Sequence, residues 1–252
     1  MSDQPHPNAL RLGLLVLGSL AVLTAIEFAL ALTFNRWEIL AILAIIKAGL
    51  VLYYYMHIQV LFQPDESRDR HSYEYKLVTN RIGLWLFMIS DFFIFGGLLI
   101  SRINLLGLTR PDLNQVLGLV ITSILLISSF FANRGETFMK NGDIRQFKWS
   151  FIATITLGLL FILGVVGIEW RIAPFGPADG VQGAVFYTMT AFHAFHVLTG
   201  VVFLAFVLRK GVRGMYTPQQ HWGVEAAAVY WHFVDVVWVF FYPALYLIGS
   251  LH

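Results

Sequence analysis

Three histidines and an aspartate stand at matched positions in the last quarter of the chain: His193 and His196, then His232 and Asp235. Each pair is spaced i, i+3, which puts both members on one face of a helix. Imidazoles and a carboxylate in such a set suit a metal ion. Two histidines on facing helices suit a bis-histidine haem, and the same groups also serve as hydrogen-bond partners between helices. If the two segments run antiparallel about position 214, His193 lies level with Asp235 and His196 level with His232, so these are the expected cross-pairs. Asp91, in Trp85-Leu86-Phe87-Met88-Ile89-Ser90-Asp91, is a lone carboxylate among apolar residues. It reads either as a proton relay or as an acid bonded to a neighbouring helix. Glu27 and Lys47 are equidistant from a turn near Trp37, which places opposite charges at one depth of an antiparallel hairpin and predicts a buried ion pair.

The elements that must position these groups follow from composition. The 252 residues are 58% hydrophobic and 13% charged, and the mean hydropathy is +0.69. A soluble domain carries roughly twice that charged fraction, so a soluble enzyme, a disordered chain and a nucleic-acid binder with a basic face are excluded. The apolar residues fall into seven runs: Leu10–Phe34, Glu38–Phe62, Thr79–Ser101, Asn114–Met139, Lys148–Trp170, Gln182–Leu208 and Val224–Gly249. Each is long enough to cross a bilayer, and in lipid each must be helical, because an open strand edge would leave backbone groups unpaired. The fold class is an all-α, polytopic membrane bundle of seven transmembrane helices. Pro243 lies inside the last run and predicts a kink there. No cleavable signal peptide is expected, since the first run comes after an uncharged-to-acidic start and is too long for a signal core.

Basic residues orient the bundle. Arg11, Arg68, Arg70, Lys76, Arg81, Arg134, Lys140, Arg145, Lys148, Arg209, Lys210 and Arg213 share one set of ends and outnumber Arg36, Arg102, Arg110 and Arg171 at the other. The amino terminus is therefore expected to be cytoplasmic and the carboxyl terminus external. The polar stretch after residue 62 divides the chain into a 1–9 tail, a 10–62 two-helix hairpin, a 63–78 cytoplasmic linker and a 79–252 five-helix domain. With no cysteine, thiolate chemistry, iron–sulfur clusters and a dicopper-thiolate site are excluded. Of the eight histidines, only His193, His196 and His232 lie well inside a run, too few to ligate two haems and a copper. Small residues at Gly96-Gly97 and Ala226-Ala227-Ala228 are expected to bring helices close. Arg81, Arg134 and Arg209 are expected to meet lipid phosphates.

The stretch from Val224 through Glu225 to Trp238, with Trp231-His232-Phe233-Val234-Asp235-Val236-Val237-Trp238 at its centre, resembles the last helix of subunit III of haem–copper cytochrome oxidases. Phe192-His193-Ala194-Phe195-His196-Val197 resembles the helix before it. Trp85 to Asp91 and Glu169-Trp170 also look like their counterparts, in the right order, so the resemblance covers residues 79–252. Ile46 to His57, containing Lys47 and Tyr53-Tyr54-Tyr55, resembles instead the small subunit IV type of bacterial oxidases.

The resemblance implies a non-catalytic integral subunit of a bacterial terminal oxidase in the plasma membrane, a cytochrome c oxidase, that reduces dioxygen and translocates protons. It implies no haem or copper on this chain, with both carried by partner subunits I and II, and bound phospholipid. Its implied roles are assembly, lipid binding and support of proton uptake. Asp91, Glu169, His193, His196, Glu225, His232 and Asp235 would then form a structural and lipid-binding polar network. Alternatives left open are a quinol oxidase subunit III, an accessory subunit of a nitric oxide reductase, and an independent haem-binding or proton-carrying membrane protein.

Overall fold

The computed structural model describes residues 7–33, 37–56 and 73–249. Most of the 63–78 linker, His57, Arg36, Arg68, Arg70 and most of the 1–9 tail lie outside the described residues.

Among the described residues seven long helices succeed one another: α1 Pro7–Thr33, α2 Trp37–Leu50, α3 Tyr73–Leu106, α4 Gln115–Lys140, α5 Ile144–Ile162, α6 Gly180–Val212 and α7 Trp222–Tyr242. With their π-helical extensions, all seven are long and apolar enough to cross a membrane. Three of them change register near one end. α2 runs into a π-helical Val51–Tyr55, α5 into Leu163–Glu169 and then Trp170–Ile172, and α7 into Pro243–Leu247. The bend expected at Pro243 takes this form: the α ladder stops at Tyr242, and the ring that cannot donate begins the wider turn.

Polar residues set the ends of the central hairpin. The Asn114 side chain accepts from the Leu117 amide at the start of α4. Asp143 does the same for Gln146 at the start of α5, each satisfying an otherwise orphaned amide. Between α4 and α5, Gly142 takes φ +77°, a left-handed conformation that a side chain would strain.

α7 is the axis of the bundle. Of its most apolar stretch 89% is buried, against 17% for α3, because α7 touches α2, α3, α4 and α6 while α3 lies at the edge. Aromatic rings set into glycine gaps hold the rest together. The Trp231 ring fills the space beside Gly158 and Gly200, Phe151 that beside Gly135, and Phe147 that beside Gly211. The two buried indoles also donate sideways to α4, Trp231 to Ser128 at 2.9 Å and Trp238 to Thr122 at 2.9 Å. Gly96 and Gly97 play no such part: a side-chain carbon on either would meet open space. They sit on the peripheral α3, so smallness there serves no contact within this chain. Ala226, Ala227 and Ala228 are buried, as their smallness suggested.

Candidate functional site

Among the described residues, neighbouring ionisable groups gather in three places, two in the bundle and one at its end, and Arg102 is buried apart from them. The innermost begins with the first hairpin, where Lys47 Nζ lies 2.5 Å from Glu27 Oε2 and both side chains are sealed from the surface. α2, which carries Lys47, packs against α7, and α1, which carries Glu27, packs against α2. Asp235, on the adjoining face of α7, accepts from the Ser129 hydroxyl of α4 at 2.9 Å. His232, one turn earlier, faces Tyr55 with ring centroids 4.8 Å apart. Farther along, the Tyr246 hydroxyl donates to Glu169 Oε2 at 2.5 Å. The π-helical turns place both residues of this contact, and Tyr55 as well.

The cross-pairs expected from symmetry about residue 214 do not form. Asp235 bonds Ser129 rather than His193. The His193 ring stacks on Trp238 at 4.9 Å and meets the edge of Phe161 at 5.5 Å. Neither of its nitrogens has a hydrogen-bond partner among the described residues. His196 turns to Asp91 instead of His232. Position along antiparallel helices gives depth but not direction, and α7 is surrounded, so His232 points at the extension of α2 and Asp235 at α4. Among the described residues no three histidine, aspartate or glutamate side chains converge as metal ligands.

The second place lies between α3 and α6, in a groove that also presents Phe87, Phe195 and Tyr230. His196 Nε2 stands 3.7 Å from Asp91 Oδ2, too long for a hydrogen bond. His196 Nδ1 donates a hydrogen bond to the Phe192 carbonyl at 2.8 Å, which leaves Nε2 to face the carboxylate. The imidazole and the carboxylate thus face each other across the groove without a direct hydrogen bond.

The third place is the end of the bundle that carries most basic residues. Arg81 grips Glu225 with two hydrogen bonds, 2.7 and 3.0 Å long, and Lys140 pairs with Glu136 at 2.5 Å. Arg81 and Arg134 thus both make hydrogen bonds within the chain. Arg134 donates to Gln146 and lies over the Phe138 ring.

His221 sits beside this cluster, outside the spans. Burial, and next the charge of Lys140, lower its pKa below the ordinary 6.5. The folded chain therefore holds that proton less tightly than the unfolded one. Its contribution to stability is complete above about pH 6.5 and lost as pH falls below that value. The midpoint of thermal unfolding should drop between pH 7.5 and pH 5.5, and His221→Gln should flatten that part of the curve. A drop of the same size in the variant would assign the effect to another group.

Two residues of this architecture escape a reading of the sequence alone. Arg102, which spacing places among the external arginines, lies inside α3 and is buried. Its guanidinium donates four hydrogen bonds, to the carbonyls of Ala244, Gly107, Thr109 and Ile248 at 2.6–3.0 Å. Glu136 is also buried; its i, i+4 spacing to Lys140 is the available signal.

The cytochrome c oxidase subunit III family model matches residues 12–250. The chain belongs to the cytochrome c oxidase subunit III family. Cytochrome c oxidase subunit 3 of Gadus morhua is 42% identical over 144 residues, 57% of this chain and 54% of that protein. The Papio hamadryas subunit 3 is 37% identical over 183 residues, 68% of this chain and 70% of its own length. That of Oncorhynchus clarkii is 41% identical over 144 residues, 57% and 54% of the two chains. The chain thus spans about half the length of the Gadus and Oncorhynchus proteins it matches. The subunit III family match takes in α1 and α2 together with the five later helices.

Proposed function

We propose that this chain is the non-catalytic subunit III of a haem–copper terminal oxidase supplied by cytochrome c, seated in a bacterial plasma membrane. It packs against catalytic subunit I and subunit II, which carry the haem and copper, and holds no redox centre of its own. The amino terminus is cytoplasmic and the carboxyl terminus external. The 10–62 hairpin is the subunit IV-like part, joined through the 63–78 cytoplasmic linker to the 79–252 five-helix part. The family match over residues 12–250 supports the subunit III part of this reading, and the likeness of Ile46 to His57 to the small subunit IV type supports the hairpin.

The apolar outer faces support it. α3 presents Leu86 and Phe93 outward, and α6 presents Phe195 and Phe206; such surfaces need lipid or another membrane chain against them. Residues Asp91, Glu169, His193, His196, Glu225, His232 and Asp235 act as structural groups that sustain assembly, phospholipid binding and proton uptake. Isolation of the chain from its native membrane should bring with it a haem-bearing subunit and a copper-thiolate subunit, while the separated chain shows no Soret band. Recovery of the chain alone, or a Soret band on it, would overturn the assignment.

A further inference from the structure

We propose that a file of buried proton-carrying side chains runs through the centre of this chain along one face of α7, exchanges protons with water at one end, and is interrupted at the Glu27–Lys47 pair. The inference requires that the chain span a membrane and is independent of the role assigned to it in an oxidase.

His232, Asp235, Val239, Tyr242 and Tyr246 succeed one another at helical spacing and form a single stripe, about 21 Å long. Val239 is its only apolar member, and α2, which carries Lys47 of the buried Glu27–Lys47 pair, packs against α7. The Tyr242 ring lies 5.6 Å from that of Tyr246, whose hydroxyl meets Glu169. At the other end the Tyr55 ring stands over His232, and the Tyr55 hydroxyl reaches the Gly13 carbonyl at 2.9 Å. Tyr55 lines a cavity of about 280 Å³ between α1, α2 and α4, with Asn133, Glu136, Thr137 and Lys140. The Lys140 side chain is 44% exposed, so this cavity communicates with the outside.

Three independent features point to proton traffic. Asp235 Oδ1, Glu27 Oε1, Tyr242 Oη and Glu169 Oε1 are buried with no hydrogen-bond partner among the described residues. Buried polar atoms normally have partners, and water is the ligand small enough for such sites. Each of the three π-helical turns among the described residues delivers one member of the file, namely Tyr55, Glu169 and Tyr246, and such turns gather at functional positions. Ionisable groups kept inside a membrane bundle mark ion or proton paths.

The transfer balances simply. A hydronium ion at the cavity loses one proton, an O–H bond forms on Asp235 as the O–H bond of hydronium breaks, and water remains; no electron moves. The fixed charge of Lys47 opposes the next step, towards Glu27.

The test uses the full chain in its native assembly, sealed into vesicles and kept without reductant so that no turnover occurs. Proton flux under an imposed potassium diffusion potential is read with a pH-sensitive dye. The unmodified assembly should be tight. Lys47→Met should raise the flux by at least about tenfold, a barrier change of about 1.4 kcal/mol, and adding Asp235→Asn or Glu27→Leu should abolish the increase. An assembled Lys47→Met variant that stays tight, or a leak indifferent to Asp235→Asn, would overturn the proposal. Infrared spectroscopy of the unmodified assembly decides the matter even where Lys47→Met fails to accumulate. The carboxyl band that Asp235→Asn removes should shift within seconds of transfer into D2O, and a band unchanged after hours would refute proton exchange with the cavity.

Discussion

Arg102→Leu is expected to prevent stable accumulation of the folded chain. One guanidinium bonds carbonyls at the end of α3, in the connection to α4 and at the end of α7. It therefore ties together three parts of the bundle that meet at one membrane surface. Its charge is matched by the carbonyl-rich ends of α3 and α7, where the helix dipoles are negative. A hydrogen bond to a charged group contributes about 1.5–3 kcal/mol, and a buried carbonyl left without a donor costs about 1–3 kcal/mol. Even with heavy non-additivity, the loss should exceed about 4 kcal/mol, a large part of the stability of an ordinary domain. Arg102→Lys should recover only part of it, since an ammonium on a flexible stem cannot fan out to four carbonyls. The amount of assembled subunit and its unfolding midpoint in detergent measure both. Wild-type values for Arg102→Leu would show that water substitutes for the guanidinium.

Breaking the Glu27–Lys47 pair should have the second-largest effect, and an uneven one. The partner left behind must either stay charged in an apolar surrounding or give up its charge. Holding a free glutamate neutral at pH 7 costs about 4 kcal/mol, and holding a lysine neutral about 5 kcal/mol. Glu27→Leu, which strands the lysine, should therefore destabilise slightly more than Lys47→Met. Both should fall near the 3–5 kcal/mol typical of a broken buried pair. The double variant should be close to wild type or more stable, because an apolar pair avoids the cost of burying charge. Unfolding of the four proteins under one set of conditions closes this cycle, and additive losses in the double variant would mean that the two residues act separately.

The sequence announces the spans because seven apolar runs leave no other structure in lipid, and the depth of Glu27 opposite Lys47 comes from counting along a short hairpin. Boundaries are less legible. α3 extends from Tyr73 to Leu106, beyond the apolar run at both ends, because Lys76 suits helix projecting towards water and Arg102 finds carbonyls inside the protein. Direction around a helix is not legible at all for α7. A surrounded helix has no water-facing side, so hydropathy gives no clue that His232 turns to Tyr55, that Asp235 turns to Ser129, or that His193 is enclosed by rings. The Asp91–His196 contact joins residues far apart in sequence and on different helices; each stands out in its own apolar run, but nothing in their spacing joins them.

The wide turns at the ends of α2, α5 and α7 bear on how the chain tolerates insertions and deletions. Each such turn holds about one residue more than an α turn, so it acts as a local slack in the winding. A one-residue deletion within Leu163–Glu169 would let the helix tighten without unravelling. It would also rotate the residues beyond the deletion by about 100°, carrying Glu169 off the side that meets Tyr246. Length changes at these places therefore reset which way a side chain faces while leaving the span itself intact.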